Sequence, residues 1–176
     1  MPGKHSANAL LFLIGWIVCV LGGTSWWLLI PLGIFAVHFT VISSWAAEGK
    51  LVVSVMLAGG ALDSFLLQMG VLELPGDPQL IPLWLLAIWG LLGTTLNHCL
   101  GWSRRRWWLA GLTGAVLGGL VHLSASIMNV LTLPLGQPTS LLILIASWAI
   151  IFPLLHGFAQ VYQQQYESRM AGARRK

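Results

Sequence analysis

The sequence predicts an all-α fold, a polytopic membrane helical bundle, and two observations support that prediction. Of the 176 residues, 57% are hydrophobic and only 8% are charged, and the mean hydropathy is +0.81. A water-exposed surface needs far more charge than this. The apolar residues also form long runs, and about 20 such residues in a helix cross a hydrocarbon core roughly 30 Å thick.

Six apolar runs are separated by short polar or Gly/Pro-containing segments, which predicts six transmembrane helices arranged as three hairpins in a single domain. The runs cover about residues 7–23, 26–45, 51–72, 80–102, 107–131 and 139–161, and a basic tail follows at 162–176. We interpret the first run as an uncleaved span, because no A-x-A site follows it. Cys19 and Cys99 fall in different spans near opposite faces, so no disulfide is expected.

The basic residues predict an orientation. All nine fall on one side of the predicted spans: Lys4, Lys50, Arg104, Arg105, Arg106, Arg169, Arg174, Arg175 and Lys176. By the positive-inside rule, both termini are cytoplasmic. Glu73 and Asp77 lie on the opposite side without a basic neighbour. The chain has a pI of about 9.6, but its bases cluster at span ends and form no basic face, so nucleic acid is not an expected partner.

Residues 57–96 resemble residues 116–155 at an offset of 59. Twelve of these 40 positions are identical, whereas shared apolar composition alone should give on the order of four. The offset pairs Gly59 with Gly118 and Trp89 with Trp148. Because the two hairpins point the same way, we predict a parallel internal repeat. The first two spans are related to it only loosely.

The offset also places polar residues at common depths. Asp63 corresponds to His122, and both should lie within roughly 5 Å of the midplane. An ionised carboxylate in hydrocarbon is costly, so Asp63 is expected to be protonated, paired or turned toward a polar interior. With His122 it could form a polar lock between helices or a proton-handling or substrate-contacting pair, or the two side chains could never meet. A second polar layer in the cytoplasmic half consists of His38, Asn97, His98 and His156.

The segment "TTLNHCLGWSRRRWW" ends the fourth span in that layer. Asn97 and His98 are adjacent, so on a helix their side chains diverge by about 100° and should not face one neighbour. Three arginines follow at headgroup depth: Arg104, Arg105 and Arg106. This pattern fits either a polar helix end anchored by arginines or a site, open to the cytoplasmic leaflet, that holds a lipid headgroup.

Neither a metal nor another cofactor is predicted. His38, His98 and His156 lie on three spans at compatible depth, so three imidazoles could converge. No HxxxH, HxxE or CxxC spacing fixes two ligands on one helix face, however. The serines lack a G-x-S-x-G context, and no Walker or Rossmann glycine pattern is present.

Three segments, "LLFLIGWIVCVLGG", "GGALDSFLLQMG" and "PLWLLAIWGLLGTTLNHCLGW", make the chain resemble a family of small bacterial inner-membrane proteins of unknown function. The similarity is strongest at TTLNH. It implies a Gram-negative inner membrane and a frequent genomic setting beside lipid-modifying enzymes. Because the family has no established activity, it implies no catalytic residues.

These observations lead to three hypotheses. The first is an inner-membrane accessory protein that contacts membrane lipids or a lipid-modifying partner through a polar interior open to the cytoplasm. The second is a small proton-coupled transporter that uses Asp63 and His122. The third is an intramembrane lipid-modifying enzyme that uses His98 and His156. Whether the chain is an enzyme is left open, as is its oligomeric state.

Overall fold

A computed structural model describes residues 2–173, which are helical along most of their length. The helices are α1 (Pro2–Gly22), α2 (Leu29–Val37), α3 (Trp45–Gln68), α4 (Leu83–Gly93), α5 (Trp107–Ile127) and α6 (Gln137–Ala173). Short 3₁₀ turns at Trp26–Leu28 and Gly101–Arg105 and a π turn at His38–Ile42 complete the helical segments. Within residues 2–173, extended pairing is limited to one antiparallel bridge between Glu73 and Thr132.

Four helices are long and apolar enough to cross a membrane: Gly3–Gly22, Trp45–Gln68, Trp107–Ile127 and Gln137–Ala173. Two shorter apolar helices accompany them, at Trp26–Ile42 and Leu83–Gly93. Many large apolar side chains on these helices are exposed, including Leu57, Leu120 and Ile150. A water-facing surface would not carry so many, so the chain is a multi-pass helical membrane protein.

The second apolar run is not one continuous α-helix. It ends in the π turn, where the Ser43 backbone N–H donates to the His38 carbonyl at 2.8 Å. Ser44 then caps α3, because its Oγ accepts from the Ala47 backbone N–H at 3.3 Å. Helix α3 therefore begins at Trp45. The expectation that 46–50 form a loop is wrong, and residue 48 lies in the first helical turn.

The fourth apolar run also leaves the α-helix early. Helix α4 ends at Gly93 and residues 94–100 form turns. The hydroxyls of Thr94 and Thr95 donate to carbonyls three residues earlier, at 2.7 and 2.6 Å, and so compete with helical hydrogen bonding. Asn8 of α1 satisfies two freed backbone groups. Its Nδ2 donates to the Thr94 carbonyl at 3.1 Å, and its Oδ1 accepts from the Cys99 N–H at 3.5 Å.

Two glycine–tryptophan contacts pack the centre of the bundle. A Cβ atom added to Gly59 would overlap the Trp89 ring, and one added to Gly118 would overlap Trp148. The two indole rings stack on each other, with centroids 4.8 Å apart. Close approach of α3 to α4, and of α5 to α6, therefore depends on the absence of a side chain at these glycines.

The α3–α4 and α5–α6 connections have matching backbone geometry. In the first connection the backbone N–H groups of residues 69, 70 and 71 donate to the carbonyls of residues 65, 67 and 66, respectively. The second connection repeats this pattern 59 residues later, with residues 128, 129 and 130 donating to residues 124, 126 and 125. Gly70 and Asn129 both adopt the left-handed conformation, with φ of 66° and 56°. Glu73 and Thr132 exchange two backbone hydrogen bonds of 3.0 Å, so the two turns lie side by side at one end of the bundle.

The opposite end is rich in basic residues, and we call it the basic pole. It comprises the first turns of α1, residues 38–48, residues 94–106 and the polar end of α6. Hydrogen bonds join these parts: Lys4 Nζ donates to the Ile42 carbonyl at 3.0 Å, and Arg104 Nη1 donates to Gln163 Oε1 at 3.0 Å. The predicted tail residues Arg174, Arg175 and Lys176 lie outside the described residues.

Candidate functional site at the basic pole

A buried carboxylate, that of Glu48, lies at the centre of the basic pole. Glu48 is 5% exposed and accepts hydrogen bonds from three side chains. Its Oε2 lies 2.9 Å from His38 Nε2, its Oε1 lies 3.1 Å from Asn97 Nδ2, and His98 Nε2 lies 3.1 Å from Oε1 and 3.2 Å from Oε2. Three side chains from two other segments, the π turn and residues 94–100, thus meet at the carboxylate of Glu48.

The π turn places His38 in this cluster. Such turns insert one residue into a helical turn and recur at functional sites. His38 is the first residue of the π turn and is 1% exposed. Its ring packs edge-on against the His98 ring, with centroids 5.3 Å apart. His38 and His98, which the sequence predicted at one depth, are therefore in direct contact.

Asn97 and His98 both reach Glu48, although they are adjacent in sequence. The expectation that they diverge by about 100° is wrong, because it assumed an α-helix through this position. The segment is a series of turns, in which the His98 N–H donates to the Thr95 carbonyl at 2.9 Å. Unwinding after Gly93 lets two consecutive side chains face the same group.

Glu48 was missed by the sequence-based prediction of site residues, which placed residue 48 in the connection between the second and third spans. The available signal was Ser44, four residues before Glu48, since serine is a preferred N-cap. With Ser44 as cap, Glu48 falls in the first turn of α3. The positive end of the helix dipole and the three hydrogen bonds stabilise the carboxylate, although no lysine or arginine among the described residues pairs with it.

Arg104 extends the network outward. Its Nη1 donates to Asn97 Oδ1 at 3.3 Å and to Gln163 Oε1 at 3.0 Å. Gln163 in turn donates from Nε2 to Glu167 Oε1 at 3.0 Å. Arg104 thus connects the Glu48 cluster, through Asn97, to the polar end of α6.

Two clefts open beside this network. The larger, of about 600 Å³, is lined by His5, Ser6, Ala9, Asn97, His98, Cys99, Gly101, Trp102, Arg104 and Arg105. The smaller, of about 340 Å³, is lined by Ala47, Glu48, Asn97, His98, Arg104, Gln163, Tyr166 and Glu167. Asn97, His98 and Arg104 line both clefts. These side chains therefore lie between the two clefts, and Glu48 lines the smaller one.

The three predicted headgroup arginines differ in their surroundings. Arg104 and Arg105 line the larger cleft. The Arg106 guanidinium lies 6.0 Å from the centre of the Trp108 ring, at cation–π distance. Arg106 is exposed and lines neither cleft. Two of the three arginines are thus positioned for a shared ligand.

His156 does not join the cluster, although the sequence placed it in the same layer. Its Nε2 lies 2.8 Å from Ser103 Oγ, and that hydroxyl donates to the Leu100 carbonyl at 2.8 Å. With the serine proton used there, the His156 Nε2–H is the donor to Ser103. The imidazole therefore anchors the 101–105 turn to α6.

Asp63 and His122 form a separate, deeper site. Asp63 Oδ2 accepts from Trp89 Nε1 at 2.7 Å, whereas His122 Nδ1 lies 2.8 Å from the Gly118 carbonyl of its own helix. Both line an apolar cavity of about 40 Å³, which holds no solute much larger than water. The partner of the Asp63 carboxyl group is thus the Trp89 indole.

Comparison with known protein families places the chain in a defined group. The model of a family described as "Protein of unknown function (DUF2878)" matches residues 5–154. The chain belongs to this family. Neither a curated protein nor a solved structure matches it. Membership in DUF2878 thus supports the resemblance to an uncharacterised family and assigns no activity.

Proposed function

We propose that the protein binds the phosphate-bearing headgroup of an anionic membrane lipid in the larger cleft of the basic pole, as an accessory to membrane-lipid metabolism. The observation that supports this most directly is the pair Arg104 and Arg105 on the wall of a cleft of about 600 Å³. Guanidinium groups bind phosphate through two parallel hydrogen bonds. A cleft of this volume is of ordinary ligand-binding size.

The other lining residues fit an amphipathic ligand. His5, Asn97 and His98 offer polar groups toward the interior of the cleft. Trp102 is half exposed, and an indole at the edge of a headgroup site favours the membrane interface. A lipid could thus place its phosphate against the arginines while its acyl chains remain in the bilayer.

We further propose that the bundle spans the bacterial inner membrane six times, with both termini and the basic pole in the cytoplasm. The distribution of the nine basic residues supports the orientation. The two short apolar helices would then be completed by the π turn and by residues 94–105. Non-helical backbone is tolerated at membrane depth where its polar groups form hydrogen bonds within the protein. Asn8 provides such bonds to the backbone of Thr94 and Cys99.

The internal repeat belongs to the same proposal. Matching hydrogen bonds in the two connecting turns support a duplicated hairpin, as does the shared glycine–tryptophan packing. The halves differ where the site lies. At the offset of 59, Thr94 corresponds to Pro153, and α6 continues as a helix there whereas α4 has ended. We infer that one copy of the hairpin unwound to supply Asn97 and His98.

The alternative functions receive less support from the geometry. A transporter using Asp63 and His122 needs a path for its substrate, and these residues line a cavity of only about 40 Å³. An enzyme using His98 and His156 needs the two imidazoles at one centre, but they bond to Glu48 and Ser103 respectively.

Native mass spectrometry of the purified protein tests the headgroup proposal. The protein in detergent is offered equal amounts of phosphatidylglycerol and phosphatidylcholine. We expect the wild type to retain the anionic lipid preferentially. The double variant Arg104→Ala/Arg105→Ala should lose that preference, whereas Arg106→Ala/Arg169→Ala, which removes the same charge outside the cleft, should keep it.

Two outcomes would overturn the proposal. If both double variants lose the preference equally, the attraction is a general effect of net charge. If neither loses it, the lipid binds elsewhere. The accessory role has its own test: lipid mass spectrometry of a deletion strain against its parent should show altered membrane lipid composition that the wild-type gene restores and the Arg104→Ala/Arg105→Ala gene does not.

A further inference from the structure

We infer that His38, Glu48 and His98 form a binding site for a divalent transition-metal ion of the Zn²⁺ type. Each residue offers one ligand atom, and these three atoms all lie within 4.8 Å of one another. They come from the π turn, the first turn of α3 and the unwound segment after α4. The inference does not require lipid binding, because its ligands are a carboxylate and two imidazoles rather than the arginines, and His98 alone of the three also lines the larger cleft.

The charge balance at Glu48 is the first argument. A carboxylate buried in a membrane protein is normally paired with a cation or bound to a metal. Among the described residues, the ion-pair partners of Glu48 are the two histidines alone. The nearby Arg104 guanidinium bonds instead to Asn97 Oδ1. A divalent ion would supply the positive charge that no lysine or arginine provides.

The spacing of the ligand atoms is the second argument. Zn²⁺ with bonds of about 2.1 Å and tetrahedral angles holds its ligand atoms about 3.4 Å apart. Here His38 Nε2 lies 2.9 Å from Glu48 Oε2, and His98 Nε2 lies 3.1 Å from Glu48 Oε1. Both distances lie within about 0.5 Å of that value, and the ligand nitrogens of the two histidines lie within 4.8 Å of each other. His98 borders both clefts and Glu48 borders the smaller one, so these two side chains have room to adjust around the buried His38.

A change of tautomer would let the two imidazoles replace their hydrogen bonds to Glu48 by bonds to a metal ion. In the hydrogen-bonded arrangement each Nε2–H donates to the carboxylate. To bind a metal, each Nε2 must present its lone pair, so its proton moves to Nδ1 and the ring stays neutral. His38 Nδ1 has no hydrogen-bond partner, so the contact with Glu48 alone fixes that ring in the present tautomer. Metal binding would replace this contact.

The donor set indicates the class of metal. Imidazole nitrogen favours Zn²⁺ and its first-row neighbours over Mg²⁺ and Ca²⁺, which prefer all-oxygen sites. Three protein ligands, two His and one Glu, are characteristic of sites that keep an open coordination position. Glu48 and His98 border the smaller cleft beside Arg104. A water or an anionic oxygen can therefore complete the coordination from that side.

Metal content of the protein tests this inference. The chain is purified in detergent with an affinity tag that lacks histidine, stripped with EDTA, incubated with Zn²⁺ and passed through a gel-filtration column. We expect about one tightly held Zn²⁺ per chain. Glu48→Gln and His98→Asn should weaken binding by about a hundredfold or more, measured by competition with a chelating dye. His5→Ala should bind as the wild type does, although its ring centre lies only 6.1 Å from that of His98.

A second measurement protects the test from variants that fail to fold. Co²⁺ added to the stripped wild type should give the visible absorption bands of a nitrogen- and oxygen-bound, low-coordinate ion, and Zn²⁺ should abolish them. Two results would overturn the inference: a wild type that retains no more Zn²⁺ than Glu48→Gln, or a His5→Ala variant that loses as much as His98→Asn. Both results are obtained without lipid, so they leave the headgroup proposal to its own test.

Discussion

Replacement of Glu48 by alanine is the most informative perturbation of the basic pole. The carboxylate accepts from His38, His98 and Asn97. Without it, the Nε2–H of His38, a residue only 1% exposed, has no acceptor. A buried unsatisfied donor costs about 1–3 kcal/mol, and breaking a buried charged network by removing one partner costs about 3–5 kcal/mol. We expect Glu48→Ala to lose about 3 kcal/mol of unfolding free energy.

Denaturant unfolding of the metal-free protein in mixed detergent micelles measures this loss. The matched control is Glu167→Ala, because Glu167 is exposed and accepts, within residues 2–173, from Gln163 four residues away. Such surface substitutions change stability by about 0.5 kcal/mol or less. If Glu48→Ala is as stable as Glu167→Ala, the buried cluster does not exist as described and the reasoning is refuted.

Two further pairs of substitutions test the packing at the centre of the bundle. Gly59→Ala places a Cβ atom in overlap with the Trp89 ring and should lower the unfolding free energy by about 1–3 kcal/mol or more. In the control Gly33→Ala nothing lies within 4 Å of the added atom, so the unfolding free energy should rise by up to about 1 kcal/mol. Equal unfolding midpoints for the two variants would contradict the contact between α3 and α4. Asp63→Asn keeps an acceptor for the Trp89 indole and should stay within about 1 kcal/mol of the wild type, whereas Asp63→Leu leaves that buried N–H unpaired and should lose about 1–3 kcal/mol. A loss in Asp63→Asn as large as that in Asp63→Leu would show that the charge of Asp63, which both variants lack, rather than the hydrogen bond, holds the helices.

The sequence predicted the helical membrane architecture because the signal, a run of apolar residues of bilayer length, is local. It also placed His38, Asn97 and His98 at one depth, and the structure brings them together. The points at which the α-helices end within an apolar run were harder to predict. Helix α4 ends at Gly93 because two threonine hydroxyls and the distant Asn8 take over backbone hydrogen bonds, and the last of these contacts joins residues 86 positions apart.

The errors at the site have one physical origin, the assumption of ideal helices through every apolar run. That assumption made Asn97 and His98 diverge and grouped His156 with them by depth. It also left Glu48 in a loop, because the charged "EGK" stretch looked like a connection between spans. The Ser44 cap extends α3 backward and turns this glutamate inward. Recognising Ser44 as the N-cap would have placed Glu48 inside α3 rather than in a loop.

The nitrogen resonances of the histidine side chains test the central claim most directly, namely that one buried carboxylate holds two imidazoles. In ¹⁵N-histidine-labelled, metal-free protein, Glu48→Gln should shift the Nε2 resonances of His38 and His98 and leave those of His122 and His156 in place. That is the result we predict. If none of the four histidines responds, or if all four shift together, the carboxylate is not the meeting point of this cluster.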